Sequence, residues 1–209
     1  MDLQQQISAL EVDLERLTSR LTTEAPSANA YVQRGMMQFK LGRMAASIAD
    51  FDRAEQLQPA LTPYLWQRGL SYYYAARFDD GARQFEVDLQ VNAHDVEETV
   101  WRYLCQAQLQ GAEAARHDLL PVRHDPRPVM ATVYELFAGT CDSDALLAMA
   151  RNRGERFYSQ LYAGLYFEAE CDVARARYHI TQAAEMQVLD DYMGWLAIVH
   201  LRQRGWHRY

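Results

Sequence analysis

The feature that most restricts this chain is a self-similarity with a period of 34 residues. Gly35 and Gly69 are 34 apart, as are Arg34 and Arg68, and Phe51 and Phe85. A polar residue, Asp50 or Gln84, precedes each phenylalanine. A fixed period of this length means that one supersecondary unit is repeated and that neighbouring units bury each other's apolar faces. Two copies run from about Ala28 to Leu61 and from Thr62 to Asp95.

Within a copy the apolar spacing is that of two amphipathic helices joined by a short turn, with Gly42 at the turn and Pro59 after the second helix. Small residues at Gly35, Gly69 and Ala54 allow close helix approach, and Phe51 and Phe85 fill the space where the next hairpin stacks. No alternating stretch bounded by hairpin turns competes with a helical reading. The expected fold is all-α, a right-handed α-solenoid of helical hairpins.

These residues resemble the tetratricopeptide-repeat (TPR) signature. In the first copy it falls on Tyr31, Gly35, Gly42, Ser47, Phe51, Ala54 and Pro59. The second keeps Gly69, Tyr72 and Phe85 but carries Ala76, Gly81, Asp88 and Ala93 where the family prefers Gly, Ala, Ala and Pro. A third copy starts near Val96 with helices over 96–110 and 112–122; it keeps Ala115 and has Tyr103 in place of the glycine.

Pro121, Pro126 and Pro128 then interrupt the array, since proline cannot continue a helix. A short atypical hairpin follows within 122–155, its second helix capped by Asp142 or Ser143. A further repeat occupies 156–209, with Gly164, Phe167, Ala176 and Ala183 at repeat positions and Cys171 at the turn. The last segment, 190–206, is expected to be a solvent-facing capping helix, as the end of a solenoid requires. Repeats one to three therefore span 28–121.

Residues 1–24 differ. Leu3, Ile7, Leu10, Leu14, Leu17 and Leu21 follow a 4-3-4-3-4 spacing, the seam of a short coiled coil. Two uses fit: a cap on the first repeat, or a homodimer contact, for which three heptads alone are marginal.

The order of segments is similar to that of the NlpI-like bacterial TPR adaptor lipoproteins, colinear over about 28–203. The similarity rests on RGLSYYYAARFDDGARQF, HDVEETVWRYLCQAQ, VYELFAGTCDSDALLAM and RFYSQLYAGLYFEAECDVARA. It implies an adaptor that binds other proteins, and a homodimer with a helix before its first repeat. The chain departs from that family in having neither a signal peptide nor a lipobox cysteine.

The first helix of each hairpin would line the groove of such a solenoid. This register places Met36, Phe39, Trp66, Leu70, Tyr73, Tyr74, Trp101, Leu104, Tyr158 and Tyr162 near it. Aromatic anchors of this kind serve as interface hot spots, although each position would equally suit core between repeats. Trp66, Tyr73 and Trp101 are the residues expected to be exposed. The clamp with which chaperone-binding TPR domains hold a terminal carboxylate would fall on Val32, Met36, Gln67, Glu97 and Trp101. These residues do not suit a carboxylate, so the C-terminal tails of heat-shock chaperones are not expected as ligands.

Chemistry is sparse. His94, His117 and His124 lie near Asp95, Glu97 and Glu98, but no HExxH or CxxC spacing links them. The acidic run reads as a helix N-cap with first-turn carboxylates. No phosphate-binding glycine loop or nucleophile elbow occurs. No catalytic residue, metal or cofactor is expected; a metal-dependent enzyme built on the three histidines, or a structural subunit of a larger assembly, stands as the alternative. Cys105, Cys141 and Cys171 read as small core residues in a reducing compartment.

The net charge of −7 disfavours nucleic acid as a partner. No window reaches the roughly 20 apolar residues of a membrane helix. The N-terminus lacks a basic and apolar leader or a Gly at position 2, so a cytoplasmic location is expected if the chain is not a trimmed mature form. One or more protein partners, of unspecified identity, remain the expectation.

Overall fold

The computed structural model describes residues 3–122 and 125–206. Among them every regular element is helical. Consecutive helices pack as neighbouring pairs: α2 (Ala28–Lys40) with α3 (Met44–Leu57), α4 (Trp66–Tyr74) with α5 (Phe78–Asp88), and α6 (Val96–Gln110) with α7 (Ala112–His117). After an irregular stretch come α8 (Pro128–Ala138) with α9 (Ser143–Met149), and α10 (Arg153–Ala169) with α11 (Val173–Glu185). The helix α1 (Leu3–Thr23) precedes the pairs and α12 (Tyr192–Gln203) follows them. A 3-10 turn, Pro59–Tyr64, joins the first pair to the second.

The pairs are built by contacts sixteen residues apart. A methyl group on Gly69 would stand 2.6 Å from the Phe85 ring, and one on Gly35 would stand 3.2 Å from Phe51. A methyl group on Gly164 would meet Ile180 at 2.6 Å. Only a residue without a side chain lets the facing bulk seat, so glycine on one helix and bulk on its partner set the spacing of the pair. Polar bonds repeat the same offset. Arg34 donates two hydrogen bonds to Asp50, and Arg68 donates to Gln84 at 2.8 Å. Arg102, in the third pair, donates to the Asp118 carbonyl at 3.0 Å. That pair has Tyr103 where the others have glycine, and the ring instead packs edge-on against Phe137.

The turns follow the period as well. Gly42 has φ +76° and Ala76, 34 residues later, has φ +56°. Cys171 takes the corresponding turn of the α10–α11 pair with φ +62°. Cys105 is buried, Cys141 is half-buried and Cys171 is exposed, so the core reading of the cysteines is corrected for Cys171. Its position at a sharp surface turn is the reason.

Helix caps agree with the sequence where a short polar residue precedes the first turn. Ser27, Asp95, Asp142, Asn152 and Asp191 each accept a hydrogen bond from a first-turn N–H. The α6 boundaries match the expected 96–110, whereas α7 stops at His117, short of the expected 122.

At the N-terminus, Leu14 and Leu17 of α1 are buried and α1 packs on α2. Glu11 accepts a hydrogen bond from Arg43 at 2.6 Å. Leu3, Ile7, Leu10 and Leu21 are half-buried. The contact of this helix with the rest of the chain thus rests on its central turns.

The C-terminal helix requires a correction. It was expected to face solvent, yet every residue from Met193 to His200 is buried. Its apolar residues surround the axis rather than forming a stripe, and a helix apolar on all sides belongs inside. No helix among the described residues is long and apolar enough to cross a membrane.

Candidate functional site

The face formed by the first helices of the pairs is where sequence reasoning placed a binding groove. α12 packs against the part of that face formed by α2 and α4. Tyr192 stacks on Phe39 with centroids 5.3 Å apart and meets Trp66 edge-on at 5.4 Å. The Tyr74 hydroxyl lies 2.9 Å from His200 Nδ1, and the Gln203 side chain donates to the Gly42 carbonyl at 3.2 Å. Lys40 sits over the Tyr192 and Trp195 rings.

A polar latch supports this docking. Glu168 on α10 accepts hydrogen bonds from Arg204 and, at 3.2 Å, from the Tyr73 hydroxyl, and it lies 3.5 Å from His200 Nε2. Burial alone would raise the Glu168 carboxyl, but His200 and Arg204 outweigh it and hold the group at about 2.

Seven of the ten residues expected to line the groove are core: Phe39, Leu70, Tyr73, Tyr74, Trp101, Leu104 and Tyr162. The expected exposure of Tyr73 and Trp101 is corrected, since they are 1% and 2% exposed. The two rings pack edge to face at 5.2 Å. Met36, Trp66 and Tyr158 are half-buried. Tyr158 donates to Asp191, the N-cap of α12, at 2.7 Å. Hairpin periodicity carries no information about what covers the first helices of the pairs.

One end stays open. Between the 3-10 turn, α4, the start of α6 and Met193 of α12 lies a cleft of about 550 Å³. Its apolar walls are the rings of Tyr64, Trp66, Phe85 and Trp101. Asp95, Glu97 and Glu98 supply the opposite character, and among the described residues no Lys, Arg or His lines the cleft.

The cap geometry explains how the carboxylates arrive there. Asp95 accepts from the Glu98 N–H at 3.0 Å and so begins α6, fixing Glu97 and Glu98 in its first turn. Glu97 is fully engaged, by Arg127 and by the Tyr162 hydroxyl at 2.7 Å. Burial nonetheless lifts its carboxyl above the ordinary value, outweighing Arg127. Arg127 also binds Asp95 and Asp125. Burial would raise Asp125 too, but its bonds to Arg127 prevail and hold it low.

Among the described residues no cation pairs with Glu98, and the Asn92 side chain is the group whose hydrogen bond favours its charged form. One of its carboxylate oxygens is buried without a hydrogen-bond partner. Burial, with the neighbouring charges of Asp95 and Asp88, pushes this carboxyl up to about 8. Asp88 itself, pushed to about 7 by burial, is fully enclosed at the end of α5, and its Oδ2 is likewise unpartnered. The acidic run is thus a helix start, as its sequence indicates, and also one wall of a cleft. Sequence reasoning missed Tyr64 and Phe85 as cleft residues; Phe85 had been read only as repeat packing.

His94 and His117 are both exposed, and His124 lies outside the described residues. Among the described residues, no three His, Cys, Asp or Glu side chains converge in a way that could hold a metal ion. The buried Cys105 thiol is held above its ordinary range by burial, which opposes formation of the nucleophilic thiolate.

No protein-family model matches the chain. Over 100 residues it is 26% identical to a protein of Bos taurus named "Protein SGT1 homolog". The similarity covers 48% of this chain and 30% of that protein, so it spans under a third of the relative's length.

Proposed function

We propose that the chain is a tetratricopeptide-type solenoid acting as a non-catalytic adaptor, and that it captures a segment of a partner protein in the cleft between the 3-10 turn, α4 and α6. The observation that carries this reading is the cleft itself. It is an aromatic-walled opening on a face that α12 otherwise closes, with half-buried Trp66 and exposed Tyr64 available for contact. Rigid aromatic rings beside polar groups are what protein interfaces use as anchors. The 34-residue period, the paired helices and the contacts sixteen residues apart support the repeat assignment. The partial similarity to the SGT1 homolog agrees with it. A cytoplasmic setting belongs to the same proposal.

Site-specific photo-crosslinking tests this reading. Benzoylphenylalanine replaces Tyr64 or Val91 beside the cleft, and replaces Tyr178, an exposed α11 residue, as the control. In an extract of the native source, positions 64 and 91 should give discrete adducts that weaken when Trp66→Ala is added. Adducts that form equally from position 178, or none from the cleft, would overturn it.

A further inference from the structure

We propose that the cleft is an arginine site: a partner peptide places one arginine side chain against the Trp66 and Tyr64 rings, with its guanidinium paired to Glu98. This inference rests on the adaptor reading above and names the chemistry of the partner.

The argument begins with charge. Three carboxylates line the cleft, and no basic side chain among the described residues does. Arg127, the nearby cation, is already bound to Asp95, Glu97 and Asp125. The unmatched acidity is therefore concentrated at Glu98, whose second oxygen has no partner. A buried carboxylate oxygen without a donor is costly, so Glu98 keeps its proton at neutral pH until a cation takes that place. Trp101 adds an independent indication. It lines the cleft, is 2% exposed, and its indole N–H has no acceptor. Both atoms are closed to solvent in the free chain, so the peptide must part the side chains around them; once there, its arginine carries donors for Glu98 and its main chain a carbonyl that can accept from Trp101.

The cation is best matched by arginine. A planar guanidinium stacks on aromatic faces and forks onto a carboxylate, whereas an ammonium is a strongly hydrated point charge. A hard divalent metal ion needs about six oxygen ligands, and of the cleft carboxylates only one oxygen of Glu98 is buried without a partner. The volume of about 550 Å³ admits a long side chain with parts of its neighbours.

The position of Glu98 gives the site a pH signature. The groups around it are Asp88 from α5, Asn92 from the connecting loop, and Asp95 and Glu97 from its own helix. Arg127 engages the last two, and Arg68 acts on Asp88. The exposed His94 precedes this run. Because Glu98 titrates at about 8, it is largely protonated at neutral pH, and binding a cation releases its proton. Affinity rises with pH as a result.

The test uses the full chain and a fluorescein-labelled nonapeptide with arginine at the centre of a glycine–serine background, read by fluorescence anisotropy. The same peptide with citrulline removes the charge and keeps the shape; a lysine version separates charge from planarity. Arginine should bind about tenfold tighter than citrulline, with lysine between them. Glu98→Gln should lose about tenfold for the arginine peptide alone. Its fold is checked by circular dichroism, and the α6 cap survives because Asp95 accepts from the main-chain N–H of residue 98. Trp66→Ala should weaken the arginine peptide and Trp66→Phe should restore it. Between about pH 6 and pH 9 the affinity should increase in the wild type and in His94→Gln; in an Asp88→Asn background, which removes the neighbouring group that titrates at about 7, it should still increase with Glu98 present and stay flat with Glu98→Gln. Glu113→Gln, at an exposed acid outside the cleft, should change nothing.

Equal binding of the citrulline peptide, unchanged binding by Glu98→Gln, or the same loss in Glu113→Gln would overturn the arginine site, as would no binding of any peptide. Cleft adducts in the crosslinking experiment without arginine selectivity would overturn this inference and leave the adaptor reading intact. No adducts from the cleft would remove both.

Discussion

At the scale of single residues, the two copies of the repeat differ most informatively at positions 34 residues apart. Ala76 occupies with φ +56° a turn that Gly42 takes with φ +76°. An L-residue with a side chain pays about 1–2 kcal/mol in the left-handed region, part of which glycine gives back through the greater entropy of its unfolded chain. Ala76→Gly should therefore stabilise the chain by about 0.5–1 kcal/mol, measured by urea unfolding; no gain would mean that the turn is relaxed with alanine in place. Asp88 stands where the first copy has the buried Ala54, and its carboxyl is enclosed and pushed up to about 7. Since its folded value lies above the unfolded one, the stability it permits is fully present below about pH 4 and is lost as pH rises through about 7. Asp88→Asn should remove that loss and stabilise the protein by about 1–2 kcal/mol at about pH 8, with little change near pH 4. The residue types at both positions were legible as departures from the repeat. The consequences were not, because backbone sign and burial depend on the partner helix.

Among the elements, the hairpins were read well because each is specified locally. Gly35 and Gly69 face Phe51 and Phe85 within their own pairs, and Asp95 begins α6 where a capping residue precedes the apolar pattern. α12 was misread because its environment comes from distant parts of the chain: Phe39, Trp66 and Tyr74 cover it, and none is near it in sequence. For the same reason the repeat pattern says nothing of what fills the aromatic face, and the cleft lies where α12 leaves the start of α6 uncovered. The entry of α12 is confined at Gly194, where a methyl group would stand 1.7 Å from the Val188 carbonyl oxygen. That atom is backbone and has no rotamer with which to yield. Gly194→Ala should cost about 3 kcal/mol and selectively reduce hydrogen-exchange protection in α12. Protection lost evenly through every helix would instead indicate that α12 does not move separately from the rest.

For the whole molecule, the docking of α12 changes how stability is distributed. In a simple array each unit touches only its neighbours, so unfolding propagates along the chain and stability is close to a sum of local terms. Here the Tyr74–His200 contact joins residues 126 apart and the Gln203–Gly42 bond joins residues 161 apart. The last helix thereby ties the first pair to the α10 latch at Glu168. Such closure leaves no trace in a repeat period, because it involves a segment that does not repeat. It does have a thermodynamic trace: the pairs should melt together while α12 is docked and separately once it is gone. A chain ending at residue 189 should expose the face now covered at Phe39 and Tyr74, bind a hydrophobic dye strongly, and melt about 10 °C or more below the full chain. Its circular dichroism and tryptophan fluorescence transitions should no longer coincide, whereas those of the full chain should. Coincident transitions in the shortened chain would show that contacts between neighbouring pairs are sufficient for cooperativity, and that α12 serves only to cover the aromatic face beside the cleft.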